Sequence, residues 1–201
     1  VFSLLFRCWG TFHAKKAIRM LEPALPDGLF GSRPHRFAGQ IWSHVLWSIE
    51  MAYEERLPLS GVIADLRKAF NYLPREVVLE GCAIVGVPFP VLTAWAGALT
   101  NMPRRFQIQG SISKPAYSTC GLPEGCALSC LGMMVVDMMC HAWMVHFFPL
   151  CQPLSYVDDW QILVCHPDAM QPTFQCLERF VAAMDMFLDQ RKTSTWSLSA
   201  E

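Results

Sequence analysis

Apolar residues recur at helical spacing over about 37–55, 74–85, 88–100, 127–147 and 168–189, each stretch long enough for several turns. Shorter runs over about 59–65, 104–110, 113–119, 153–157 and 160–165 read as strands. Ahead of the first of these helices, Pro23, Pro26, Gly28, Gly31 and Pro34 mark an extended loop that follows an earlier helical pattern. Strands interrupted by helices of this length predict an α+β fold, with helices on one face of an antiparallel sheet. No internal repeat, low-complexity tract or long Gly/Ser/Pro linker divides the chain, so its 201 residues read as one domain.

Two of the predicted strand ends carry chemistry. Tyr156-Val157-Asp158-Asp159 lies between the apolar segments Pro153–Ser155 and Trp160–Val164, which puts two adjacent carboxylates at a hairpin tip. Like charges side by side in a tight turn repel, and a divalent cation would offset the repulsion. The plainer alternative is a turn that uses Asp because its side chain bonds its own backbone. A third carboxylate has a comparable setting. The small and β-branched run Leu59–Ala64 ends on Asp65 and passes into Arg67, Lys68 and Phe70, with Pro74 opening the next helix. Asp65 and Asp158 are far apart in sequence, so they make one site only if the fold sets their strands side by side.

Composition narrows the classes. A chain 53% hydrophobic and 16% charged reads as a packed globule and not a disordered tail. The net charge of −1 is unevenly spread: residues 1–40 hold Arg7, Lys15, Lys16, Arg19, Arg33 and Arg36 against Glu22 and Asp27. A basic front segment beside an acidic one suits a protein that binds nucleic acid near a carboxylate site, while a solvated helix face accounts equally well for Lys15, Lys16 and Arg19. The nine cysteines form no C-x-x-C pair, which argues against a zinc site or disulfide framework and for reduced thiols. The apolar run 126–151 has the length of a membrane span. Asp137 at its centre would cost about 2.5–3.5 kcal/mol on insertion, so a buried core helix, and no membrane, is expected. Val1–Phe6 is too short for a signal h-region, which predicts an intracellular protein, nuclear or cytoplasmic and not secreted.

The motifs in order resemble those of reverse transcriptases. Asp65-Leu-Arg-Lys-Ala-Phe70 looks like motif A, Gly121-Leu-Pro-Glu-Gly-Cys-Ala-Leu-Ser129 like motif B, Tyr156-Val-Asp-Asp159 like motif C, and Gln190-Arg-Lys-Thr193 is similar to the end of motif D. Leu29-Phe-Gly-Ser-Arg-Pro34 resembles a fingers segment, and the D-x-x-K-A-F and G-L-P-x-G forms are closest to non-LTR retrotransposon and group II intron-like enzymes. The resemblance implies a polymerase palm at 58–201 carrying motifs A to D, and partial helical fingers at 1–57. Val1-Phe-Ser-Leu-Leu would align with the early fingers, and only nine residues follow Lys192, so the thumb is expected outside this sequence.

That family joins a dNTP to a primer 3′-oxygen with two Mg²⁺ (or Mn²⁺) ions held about 3.5–4 Å apart. By resemblance Asp65 and Asp158 are the ligands of both ions, and the Leu66 carbonyl is a further oxygen. Asp159 joins them as a candidate catalytic and metal residue, but successive strand residues point to opposite faces, so it is expected to assist the site or hold the turn. Phe70 stands where the family keeps an aromatic ring under the incoming sugar, blocking a ribose 2′-OH; plain core packing is its other role. Gly125, with Gly121 and Pro123, forms a loop that lets backbone approach the base pair. Glu124, Ala127 and Cys130 depart from the family's usual Gln and two Pro, and an ionised Glu only accepts hydrogen bonds. Lys192 is a candidate general acid toward the leaving pyrophosphate, or else a solvated charge. Arg33, Arg104 and Arg105 are candidates for the nucleic-acid backbone.

The implied partners are an RNA template, a DNA primer and dNTPs, within a larger polyprotein that would supply a thumb or an endonuclease as well. Two alternatives compete. One is a non-catalytic or decayed remnant acting as a binding module, suggested by the altered motif B. The other is an RNA-dependent RNA polymerase, disfavoured by Val157 where that class has Gly and by the aromatic Phe70.

Overall fold

The computed structural model describes residues 3–100 and 102–198; Val1 and Phe2, the start of the expected fingers alignment, lie outside them. Its elements run α1 (Leu4–Leu21), a 3₁₀ turn at Glu22–Ala24, α2 (Gly39–Glu55), β1 (Leu59–Asp65), α3 (Ala69–Tyr72), α4 (Arg75–Ile84) and α5 (Phe89–Thr100). An exposed ribbon follows, β2 (Pro103–Arg104), β3 (Gln107–Ile108), β4 (Ser111–Ile112) and β5 (Ala116–Tyr117). The chain closes with α6 (Ala127–Phe147), β6 (Gln152–Tyr156), β7 (Asp159–Val164), α7 (Pro167–Ala183) and β8 (Ser194–Leu198).

The fold is α+β, built on one antiparallel sheet in the order β6-β7-β1-β8. Alternation assigns each strand residue a face. Val62, Ala64, Trp160, Ile162 and Val164 point into the main core, where α6 lies buried between α1, α4, α7 and the sheet. Leu59, Leu154 and Leu163 point the other way and meet Ile41, Val45 and Ala52 of α2 in a smaller core. The sheet is therefore covered on both faces rather than one, with α2 shielding only part of the second. Asp65 and Asp159 occupy that second face by the same alternation.

The apolar run at 126–151 is this central helix. Leu128, Leu131, Met133, Val136 and Met144 are fully enclosed, so its hydropathy reflects burial in protein. Two other expectations change. The helix predicted over 168–189 ends at Ala183, because Met184 leaves helical geometry and Asp185 takes φ +51°. The long strands predicted over 104–110 and 113–119 are four two-residue pieces. They form a hairpin whose tip, Gln109 (φ +48°) and Gly110 (φ +82°), has the positive φ values of a type I′ turn. Strand β8 was not expected, although Ser194-Thr-Trp-Ser-Leu198 alternates polar and apolar and half-buries Trp196 and Leu198 against α2's core.

The loop before α2 closes the free edge of β6. Phe30 and Gly31 N–H donate to the Ser155 carbonyl, and Ser155 N–H donates to the Gly28 carbonyl. Gly31 lies so close that a Cβ there would run into the Val157 amide nitrogen. Arg33 organises this loop: its Nε and Nη2 bond Glu22 Oε1 at 3.1 and 2.6 Å, and its Nη1 donates to the Pro26 and Leu29 carbonyls at 2.9 Å each. With its side chain 6% exposed, the guanidinium is engaged inside the protein, and the sequence-based assignment of Arg33 to nucleic acid gives way to this structural task. Arg33→Ala leaves Glu22 and two carbonyls without their donor and should cost about 2 kcal/mol or more, read as a lower urea midpoint. Gly31→Ala should destabilise by about 1–3 kcal/mol through its clash with the turn at Val157, by the same measurement.

Candidate active site

Three chain segments converge at one end of the sheet. Strand β1 ends on Asp65, whose direct cross-strand partner in β7 is Asp159. Opposed residues in a ladder point to the same face, so the register puts these two carboxylates side by side. Between β6 and β7 the hairpin turns on Val157 and Asp158. Val157 has φ +61° while Asp158 does not enter the left-handed region, which is the type II′ pattern. A β-branched residue there carries about 1–3 kcal/mol of strain, so the surroundings must hold it. They do so in part through Leu66, whose N–H donates to the Asp158 carbonyl at 3.2 Å.

The third segment follows α7. Leu66 and Leu188 form an isolated antiparallel bridge, in which Arg67 N–H donates to the Phe187 carbonyl and Asp189 N–H to the Asp65 carbonyl, both at 2.8 Å. The Leu66 carbonyl itself is not used in that bridge. The chain then turns at Asp189, which accepts from Lys192 and Thr193 N–H through its carbonyl and from Arg191 N–H through Oδ1. This turn swings Lys192 back over the strand end, where its Nζ sits 2.8 Å from Asp65 Oδ2.

The electrostatics follow from this crowding. Partial burial, then the charges of Asp158 and Asp65, hold the Asp159 carboxyl above its ordinary value, and Lys192 pulls it part of the way back. The hydrogen bond and charge of Asp65 raise the Lys192 ammonium in turn. Mutual repulsion of this kind is what a cation relieves, and Lys192 already supplies one positive charge to Asp65. Among the described residues, no three His, Cys, Asp or Glu side chains converge as a ready chelating group. The register brings two carboxylates together, Asp65 and Asp159, with Asp158 in the adjoining turn, and such oxygens are the kind of donor a hard divalent cation takes. The register thus sets Asp159, expected to assist the site or hold the turn, directly opposite Asp65.

The motif B segment is strapped to motif A. Leu122 N–H donates to the Phe70 carbonyl at 2.6 Å and Gly121 N–H to the Leu73 carbonyl at 2.9 Å. Gly121 has φ +78°, and a Cβ there would strike the Asn71 carbonyl. Phe70 itself is half-buried against the main core. Gly125 is exposed with φ +76°, and Glu124 beside it accepts a long bond, 3.4 Å, from the Asn71 amide.

Arg75 was not singled out from the sequence, and it fastens this region: Nε donates to the Gly121 carbonyl, and Nη1 to those of Ser118 and Leu99, at 2.6–3.1 Å. Its position directly after Pro74 is a helix start and gave no sign of those long-range partners. Arg104 lies in β2 close enough to Arg75 to depress its pKa, after the larger effect of burial. Arg105 follows it, exposed, so both belong to the ribbon and not to the four-stranded sheet.

Residues 11–201 match the family described as reverse transcriptase (RNA-dependent DNA polymerase). The fold is also similar to solved telomerases. Apo telomerase from Candida tropicalis, truncated from its C-terminal domain, superposes with a TM-score of 0.66 at 10% identity over 98% of this chain and 42% of that one. The Candida tropicalis telomerase in complex with a TWJ fragment of telomeric RNA gives 0.69 at 10% identity over 92% and 33%. The Candida albicans complex with such a fragment gives 0.66 at 9% over 93% and 34%. The chain thus spans well under half the length of these proteins. A family match over nearly the whole chain, on an antiparallel sheet that gathers the motif A, C and D residues at one end, makes this chain a member of the reverse transcriptase family.

Proposed function

We propose that the chain is the palm, with part of the fingers, of a retroelement RNA-directed DNA polymerase that adds dNTPs to a primer 3′-hydroxyl on an RNA template. The observation that carries the reading is the register of Asp65 against Asp159 at the end of β1 and β7, with Asp158 in the adjoining turn and Lys192 laid over Asp65. Asp65, Asp158 and Asp159 would hold two Mg²⁺ or Mn²⁺ ions, with the Leu66 carbonyl as a further oxygen. When bound, such ions activate the attacking oxygen and neutralise the leaving pyrophosphate. The forms of motifs A and B favour a non-LTR or group II intron-like parent, in which a thumb and further domains would complete the enzyme.

The protein's own residues act by position and charge. The strap from Leu122 to the Phe70 backbone fixes where the ring stands, and a ring held there excludes a ribose 2′-hydroxyl by volume. Lys192 leaves Asp65 for the departing pyrophosphate, since its ammonium can follow whichever anion is nearer and donate a proton to it. Gly125, exposed at the loop before α6, gives the template–primer backbone close access, and Arg104 and Arg105 on the ribbon face its phosphates. Two observations favour a non-catalytic descendant instead: Lys192 is already paired with Asp65, and motif B presents the acceptor-only Glu124.

Primer extension on an RNA template, using a chain that includes the natural flanking segments, separates the two. Asp65→Ala and Asp158→Ala should each lower incorporation by about a hundredfold or more; incorporation equal to the parent's would end the polymerase reading. Phe70→Val should raise ribonucleotide use relative to dNTPs, and an unchanged sugar preference would remove Phe70 from the gate.

The carboxylate cluster also makes a pH prediction for the metal-free protein. A carboxyl raised in the folded state binds protons that the unfolded chain has released, so its unfavourable contribution appears as pH rises through the raised value and is absent below the ordinary one. Asp159→Asn should therefore raise Tm at pH 8 and leave it unchanged near pH 3. Lys192→Met should push the Asp159 titration further up, as followed by carboxyl NMR.

A further inference from the structure

Asp137 is 1% exposed in the middle of α6, where an apolar side chain would fill the space without desolvating a carboxyl. Its Oδ1 accepts a hydrogen bond from Trp160 Nε1 at 2.8 Å, while Oδ2 has no partner among the described residues. Burial, opposed by the indole bond and reinforced by the charge of Asp158, pushes this carboxyl well above the usual range. The same indole N–H is shared with the Val157 carbonyl at 3.2 Å. Trp160 follows Asp159 in β7, is 2% exposed, and has its ring fixed against Phe180 at 5.9 Å between centroids. An unbroken chain of contacts thus runs from the central helix through one indole to the strained residue of the carboxylate turn.

We propose that Asp137 is a positioning residue for the catalytic turn, acting through Trp160 on the Val157 carbonyl to hold the left-handed backbone that aims Asp158 and Asp159 toward Asp65. The proposal rests on the two-metal reading for its functional meaning, but the strut itself is a matter of geometry. Packing against Phe180 holds the ring, and the second acceptor in α6 sets the direction of its N–H relative to the Val157 carbonyl. An amide oxygen at the same place can accept the indole bond, whereas a branched alkyl group cannot. The support is of the outer-shell kind that orients ligands without touching the ion.

The test compares the parent with Asp137→Asn, Asp137→Leu and Trp160→Phe by ¹H–¹⁵N NMR. The resonances read are the Trp160 indole N–H and the backbone amides of Leu66, Asp158 and Asp159. Asp137→Asn should leave all of them in place. Asp137→Leu should move the indole and turn resonances while the rest of the spectrum is kept, and should speed exchange of the Leu66 amide by about tenfold. Mn²⁺ affinity, followed by paramagnetic broadening at the same amides, should drop by about tenfold in Asp137→Leu and Trp160→Phe, and the double variant should be no worse than either. Turn resonances at their parent positions in Asp137→Leu would overturn the proposal. If that variant does not fold, the same result in Trp160→Phe overturns it. A parent that binds no Mn²⁺ counts against the metal reading, and the amide positions still decide the strut.

Discussion

The pairing of β1 with β7 is the constraint from which the site follows. Its buried centre, Val62 with Ile162 and Ala64 with Trp160, sets a register that a slip of one residue would invert, sending the core positions to the open face. Holding that register forces two carboxylates into direct opposition at the ladder's end, where like charges are unfavourable. The protein tolerates this because the repulsion falls at the last pair, next to a turn and within reach of Lys192. The apolar strand centres stabilise the sheet, and its end is left to chemistry.

Around that ladder the chain uses backbone hydrogen bonds to tie distant segments to the carboxylates. The loop at Gly28–Gly31 completes β6, the bridge at Leu188 completes β1 beyond Asp65, and the Gly121–Leu122 strap anchors on α3. Arginines do similar work from the side chain: Arg33 gathers Glu22 and two carbonyls, and Arg75 gathers three carbonyls from α5, the ribbon and motif B. A planar cation with several donors suits such junctions, where carbonyls left over from loops would otherwise be buried without partners. The basic front segment is therefore not all available to nucleic acid, since one of its arginines is built into the fold.

The central helix serves both core and site. Its apolar face supports α1, α4 and α7, while its one acidic residue reaches the turn through Trp160. A helix so thoroughly buried moves little, which makes it a firm support for a residue held in strained geometry. Loss of packing between α6 and the sheet would thus be felt at the carboxylates as well as in stability.

The sequence by itself determined the α+β class, the central helix, β1, and the order of motifs that marks the family. These are local matters of periodicity, turn chemistry and residue type, so they survive without coordinates. The end of α7, the strand at Ser194–Leu198 and the breakup of the ribbon depended on long-range pairing. Sequence patterning misjudged them because a short segment takes its state from the partner it meets. Only the tertiary structure decided that Asp159 faces Asp65, that Lys192 comes back over that carboxylate, and that Arg33 is enclosed. Register and side-chain partnership across dozens of residues are properties of the assembled sheet, and a charged residue reads the same in sequence whether its partner is a substrate, a carboxylate or a carbonyl.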